Sequence, residues 1–362
     1  MSGVETSFHT PAARARWDAF VQRMPTGHLM QTCRWGDFKA ALGWRVHRIG
    51  VAHNGELVAG AQVLFRPLWR LPLTIAYIPK GPVFPPTDEE TAAVLLQAIH
   101  RLARRQRAIF LKIEPHFPNT AATHALLRRC GFQPSPHTNQ PRTTLMLDLS
   151  AGEAALWANM RRKTRKLVRR AEREGVRVIA GGGNDLPRFY HILRTTARLK
   201  GFPIHDPAFY VQAWRAFEGD DRVRLWLATH GGEVVAGKMV FRFGNTSMHL
   251  WGGTLPAGRE IFASYRLQWE AIRRAAESGC TRCDLWGIPD EIGDMLARGE
   301  PVPKEGRGGL WGVYTFKRGF GGDVVSFVGA YDYVYMPAWY WLGMKLTASR
   351  TVDTLSHWLE RV

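Results

Sequence analysis

The feature that most constrains this chain is an internal repeat. His53–Val63 reads HNGELVAGAQV and His230–Val240 reads HGGEVVAGKMV, so seven of eleven positions are identical at an offset of 177. Strand-like runs stand upstream of both copies, WRVHRIGVA (44–52) and VRLWLAT (223–229). The Asn-Gly and Gly-Gly pairs between apolar runs are hairpin turn signals, because those residues tolerate positive φ. Each copy continues into a second strand (63–66 or 240–243), a third (74–84 or 247–255), an amphipathic helix (92–105 or 263–277) and a further strand (108–115 or 282–289). The same element order twice predicts an α+β protein of two tandem domains, each a mixed β-sheet flanked by helices.

The length of 362 residues agrees, at roughly 150 residues per domain, and either half is long enough for its own core. A helix ending at Gly131 and the strand TTLMLDL (143–149) are expected to close the first copy. The domains are therefore placed at 1–150 and 151–335, and a C-terminal helix over 336–362, starting at Pro337, is expected to complete the first.

Lys plus Arg number 49 and Asp plus Glu 31, a formal charge of +18. With 45% hydrophobic and 22% charged residues the chain is globular, not disordered. The charge asks for a polyanionic partner: nucleic acid, an anionic membrane or a phosphorylated substrate. No apolar run approaches the roughly 18 to 20 residues of a membrane span, and the N-terminus has no secretory pattern. With four cysteines, Cys280 and Cys283 forming a lone C-x-x-C, the expectation is a reduced, cytoplasmic protein with no metal site. Nucleotide loops and the H-E-x-x-H and G-x-S-x-G motifs are absent from the sequence.

Much of the excess charge is local. Arg161, Arg162, Lys163, Arg165, Lys166, Arg169, Arg170 and Arg173 crowd one stretch, while Leu156, Met160, Leu167 and Ala171 recur near helical spacing. One amphipathic helix over 156–175 is expected, with a cationic face suited to RNA phosphates or to anionic lipid headgroups.

A hairpin feeding a strand–helix–strand unit resembles the acetyltransferase (GNAT) core, so the fold expected is two tandem GNAT-like domains. In acetyltransferases a glycine-rich turn at a helix N-terminus offers backbone amides to the cofactor pyrophosphate. The corresponding stretches here are REIFAS (259–264), with a bulky Phe262, and VFPPTDEETAA (83–93), with two prolines and three acids. Neither suits coenzyme A, so a different acyl donor is implied.

MRRKTRKLVRRAEREGV (160–176), FYHILRTTARLKGFP (189–203), SYRLQWEAIRRAAESGCTRCDLWGIPD (264–290) and YTFKRGFGGDVVSFVGAYDYVY (314–335) resemble the Fem-type peptidyltransferases. HLMQTCRWGDFKAALGW (28–44) is similar to that family's first-domain motif, so the resemblance spans about 17–340. It implies an aminoacyl-tRNA donor, a muropeptide acceptor (lipid II or UDP-linked), no cofactor, and peripheral contact with the anionic inner face of the cell membrane. Lys317 matches the family lysine implicated in catalysis, with Phe316 positioning it. Glu114 stands where the family has an acid that orients or deprotonates the attacking amine. Lys39 matches a lysine on the precursor diphosphate. His205, with Phe209 four residues on, replaces a basic–aromatic pair. Tyr210, Trp251 and Arg318 are further candidates for substrate contact. The long coiled-coil arm of some relatives is missing between 150 and 190.

Two other classes of function compete: a GNAT-type N-acyltransferase of envelope polysaccharide or small molecules that uses acyl-CoA or an acyl carrier, and a basic RNA- or membrane-binding protein without catalysis. The F-K-R-G-F run favours the aminoacyltransferase over a binding module, and the missing pyrophosphate loop weighs against acyl-CoA.

Overall fold

The computed structural model describes residues 2–68, 71–303 and 310–348. The strands in chain order are β1 (Ser2–Glu5), β2 (Arg45–His53), β3 (Glu56–Pro67), β4 (Thr74–Ile78), β5 (Ala108–Ile113), β6 (Gln133–Pro134), β7 (Thr143–Asp148), β8 (Arg177–Gly181), β9 (Val223–His230), β10 (Glu233–Phe243), β11 (Thr246–Thr254), β12 (Arg282–Gly287), β13 (Asp323–Ser326) and β14 (Tyr331–Val334). They form two seven-stranded sheets, β1-β2-β3-β4-β5-β14-β6 and β13-β7-β12-β11-β10-β9-β8.

The repeat is visible in both sheets. Asn54 and Gly55 turn the β2–β3 hairpin at φ 51° and 82°, and Gly231 and Gly232 turn β9–β10 at 58° and 86°. In each sheet one parallel pair, β4–β5 or β11–β12, is joined by a crossover helix, Glu89–Arg105 or Ala263–Glu277. Asp88 caps the first of these by accepting from the Thr91 amide. Acids fill its first turn, arginines its last, and Leu95, Leu96, Ile99 and Ala103 face the core.

The closing strands differ from expectation. The 143–149 segment does not close the first copy: β7 pairs with β12 and β13 in the second sheet. Conversely β14, in sequence beyond the second copy, pairs with β5 and β6 in the first. The compact units are Met1–Arg142 with Phe327–Val362, and Thr143–Ser326, so both boundaries at 150 and 335 move. Sequence adjacency misled here because an antiparallel neighbour need not be the next element in the chain. The C-terminal helix is described over Pro337–Ala348 and packs on the first sheet through Tyr340; residues 349–362 lie outside the described residues.

A buried ion pair fastens β14 and that helix into the first unit. Lys112 Nζ lies 2.9 Å from Asp332, with both side chains almost wholly buried. Ser135 and Tyr340 donate hydroxyls to the same carboxylate at 2.6 and 2.9 Å. Removing one partner leaves an uncompensated buried charge. Lys112→Met should therefore cost about 3–5 kcal/mol in urea unfolding, and the double variant Lys112→Met/Asp332→Leu should recover much of it. A single variant as stable as the parent would contradict this assignment.

Candidate functional site

In the second unit the parallel pair comes apart. β11 and β12 are paired only from Thr246–Met248 to Arg282–Asp284, although β11 continues to Thr254. In the first unit β4 stays with β5 to its end, and the Glu114 amide still donates to the Ile78 carbonyl. Only the second copy has this parting.

Where the strands part, β12 bulges against β7 between Asp284 and Gly287. Buried Asp284 holds the bulge: its Oδ1 accepts from the Thr144 hydroxyl and, at 2.7 Å, from the Trp286 amide. Trp286 sits at φ 66°, a left-handed conformation costly for a bulky residue. The bulge aims two carbonyls at one ammonium group: Lys317 Nζ donates to Trp286 O at 3.0 Å and to Gly287 O at 2.7 Å. Burial, and next the charge of Lys238, lower the Lys317 pKa to about 7, while Asp284 opposes the shift. Lys238 on β10 is itself lowered to about 8 by burial. Lys317 closes the helix Trp311–Lys317.

The F-K-R-G-F-G-G run builds this corner. Phe316 packs edge-on to Tyr265 and Phe320 at 5.0 and 5.2 Å, which anchors the helix that carries Lys317. A Cβ on Gly319 would come 2.3 Å from Thr164 Oγ1, and the Gly319 carbonyl accepts from the Arg161 amide at 2.9 Å. Gly322, at φ 87°, passes so close to Met146 that a Cβ would lie 2.5 Å from its carbonyl oxygen. Arg318 stacks over Tyr314 at 5.3 Å.

Beside the corner, Gln268 donates to His249 Nδ1 at 2.9 Å, and His249 Nε2 lies 3.2 Å from Cys283 Sγ. Burial lowers the histidine pKa and raises that of the thiol, so both are neutral and the pair is no thiolate–imidazolium nucleophile. Cys280 and Cys283 are free and buried.

The basic segment is two helices rather than one over 156–175. Gly152–Asn159 and Arg162–Arg173 meet at an extended Met160, because Arg165 turns back to cap the first, donating to the carbonyls of Ala158 at 2.6 Å, Met160 at 2.8 Å and Trp157 at 3.2 Å. Arg169 and Arg170 cover the Trp157 and Phe262 rings. Arg162, Arg165, Lys166, Arg169, Glu172 and Arg173 line an open groove of about 770 Å³. Arg161, Arg162, Lys163, Lys166, Arg169 and Arg170 are exposed.

Phe262, in the expected place of a pyrophosphate loop, adopts φ 58° and starts the helix Ala263–Glu277 without a side-chain cap. His205 stacks on Phe209 at 3.7 Å, and Trp251 meets Phe209, Tyr210 and Phe241 edge-on at 5.3–5.4 Å. Tyr210 is buried in that group, so only His205 and Trp251 present partly exposed edges.

The first unit gathers Lys39 and Glu114. Trp44 donates its amide to the Lys39 carbonyl and its ring lies 5.4 Å from Lys39 Nζ. Lys39 is buried rather than solvent-facing, and burial lowers its pKa to about 7. Trp44 in turn meets Tyr77, whose hydroxyl donates to Glu114. The Asn139 and Gln140 amides donate to Glu114 Oε1 at 2.6 and 2.9 Å. Burial raises the Glu114 pKa against these donors, which favour the carboxylate.

A profile of the FemAB family matches residues 13–125, and a profile of the acetyltransferase (GNAT) domain matches 158–295. A structure of FemX superposes with a TM-score of 0.79 at 21% identity, covering 93% of this chain and 99% of that one. The chain carries a FemAB-family segment followed in tandem by a GNAT domain. Lipid II:glycine glycyltransferases of Staphylococcus saprophyticus and Staphylococcus aureus are 24% and 23% identical to it over 88% of its length and 90% of theirs. A tandem GNAT protein from the clavulanic acid pathway shares the fold at TM-score 0.54 and 12% identity.

Reading along the sequence does not single out Asp284, Trp286, Lys238 or Tyr77. One signal was available for Lys238: at the repeat offset its counterpart is Ala61, so a lysine interrupts an apolar strand.

Three lysines with depressed pKa values have a consequence for stability. In the unfolded chain they hold their protons to about 10.5, so above pH 7 the unfolded state binds more protons than the folded one. Their penalty is full below pH 7 and is relieved as pH rises toward 10.5. Urea titrations should show this contribution growing from pH 7 to 9, and Lys39→Met/Lys317→Met should flatten it. An equal slope in parent and double variant would contradict the assignment.

Proposed function

We propose that this chain is an aminoacyltransferase that moves an amino acid from an aminoacyl-tRNA to the stem-peptide amine of a lipid-linked or nucleotide-linked peptidoglycan precursor. The observation that carries the reading is Lys317, held by two carbonyls where β11 leaves β12. The curated relatives, named for glycyl transfer to lipid II, support the acceptor class.

The chemistry is ester aminolysis. A neutral amine attacks the ester carbonyl carbon, negative charge gathers on the carbonyl oxygen, the ribose oxygen departs, and one proton passes from the amine to that oxygen. In this reading the Lys317 ammonium stabilises the developing charge and can give its proton to the leaving ribose oxygen, since its pKa of about 7 makes it a usable acid. Phe316 holds the helix that presents it. Glu114 orients the amine, and its raised pKa makes it a better proton acceptor than a free glutamate. Lys39 is assigned to the precursor diphosphate, which would restore its full charge. His205, Trp251 and Arg318 are assigned to muropeptide contact. The exposed cations of Arg161–Arg173 are assigned to tRNA phosphates.

Acyl-CoA is disfavoured as donor. Asp88 takes the Thr91 amide and puts a carboxylate at the start of one crossover helix, and Phe262 stands at the start of the other, with Arg170 stacked on its ring.

The deciding assay offers glycyl-, alanyl- and seryl-tRNA with lipid- and nucleotide-linked muropeptide. Transfer is expected from at least one donor; no transfer from any, alongside turnover with acyl-CoA, would replace this reading. Lys317→Ala should lower kcat about 10²–10³-fold with little change in KM. Lys163→Ala/Lys166→Ala/Arg169→Ala should weaken tRNA binding and flatten its salt dependence, by about 0.7 per lost phosphate contact on a single strand. Arg165 is left in place because it caps a helix. An unchanged salt slope would remove the helix from the tRNA site.

A further inference from the structure

The first unit carries a surface that the transfer reaction does not use. The helix Pro337–Ala348 packs inward through Tyr340 and Met344 onto Ile75, Ile109 and Phe110. Its outward face is apolar to an unusual degree: Trp339, Trp341 and Leu342 are 43%, 59% and 48% exposed. At roughly 100° per residue the outer positions follow in the order Trp341, Lys345, Leu342, Trp339, a continuous face with one cation inside it. Leu68 and Leu73 pack against the same cluster, and Leu71 is 40% exposed.

Apart from Lys345, the nearby cations lie beside this face. Thr74 binds the Gln106 and Arg107 carbonyls, which brings the exposed end of helix Glu89–Arg105 to the same end of the sheet. Arg104 lies over the ring of Tyr335, two residues before the outer helix begins. Residues 67–78, 99–111 and 333–350 contain no Asp or Glu at all. Large exposed aromatic and aliphatic side chains, framed by Arg and Lys with no acids, have the composition of a membrane-interface surface. Tryptophan favours the headgroup layer, long cationic side chains snorkel beside it, and each nearby cation is attracted to anionic lipid.

We propose that the face formed by Leu71, Trp339, Trp341 and Leu342, with Lys345 among them and Arg107 beside it, seats this protein on an anionic bilayer. The charge pattern selects lipid over a protein partner, because nothing in the three segments complements a basic surface and everything in them complements a phosphate layer. The inference deepens the proposed function: a lipid-borne acceptor is reached from a surface docked on its own membrane, and the tRNA helix need not serve as the anchor.

The test uses the full chain and vesicles without muropeptide or tRNA, so its failure and failure of the transfer reading are separate results. The parent should co-sediment with phosphatidylglycerol-containing vesicles and much less with pure phosphatidylcholine. Trp339→Ser/Trp341→Ser/Leu342→Ser should reduce binding at least about tenfold while the thermal transition in solution stays cooperative. Arg107→Glu/Lys345→Glu, two surface changes, should weaken binding to anionic vesicles only. Lys163→Ala/Lys166→Ala/Arg169→Ala should bind as the parent does. Absence of parent binding, parent-like binding by the triple serine variant, or loss through the Lys163/Lys166/Arg169 variant alone would each overturn the proposal; parent-like binding by the serine variant would point to another segment covering the face.

Discussion

The Lys317 corner depends on one carboxylate. Asp284 stands on β12 at the point where β11 stops pairing with it, and it accepts from Thr144 and from the Trp286 amide. That holds one extra residue in the strand, sends Trp286 to positive φ, and turns the Trp286 and Gly287 carbonyls toward Lys317. The burial that follows, together with Lys238, brings an ordinary lysine to a pKa near 7. The glycines of the F-K-R-G-F-G-G run let two neighbours come close enough to complete the corner, Thr164 at Gly319 and Met146 at Gly322. The motif is therefore a packing device as much as a carrier of the lysine.

The two copies of the repeat have diverged at this point. The first keeps β4 and β5 zipped to the end and spends its buried polar groups on Tyr77, Glu114 and Lys39. The second opens β11 from β12 and builds the lysine corner there. One fold used twice thus supplies two chemically different surroundings, a buried acid in one unit and a half-buried lysine held by two carbonyls in the other.

Much of the architecture was legible because it is written in local patterns. Hairpin turns at Asn54-Gly55 and Gly231-Gly232, crossover helices and the tandem order all follow from nearest-neighbour chemistry. The closing strands were misplaced because β7 and β14 each pair with a strand far away in sequence, and no local signal marks such a partner. The basic stretch read as one helix because its apolar spacing runs on through Met160; the break comes from Arg165 folding back onto the preceding carbonyls. At the site, Lys317, Lys39 and Glu114 were legible as residues through family likeness. Their burial was not, because it is produced by Trp44, Tyr77 and the Asp284 bulge, which are assembled only in three dimensions.

In the proposed reaction the central physical claim is that Lys317 works as a charged group whose proton is held loosely. The most direct measurement is the pH dependence of single-turnover aminoacyl transfer, compared between the parent and Lys317→Arg. As pH rises through about 7 the parent loses the ammonium charge, so its rate should fall relative to the arginine variant, which stays protonated throughout. The account predicts a descending limb near pH 7 in the parent and none in Lys317→Arg. The same limb in both proteins, or none in either, would contradict it.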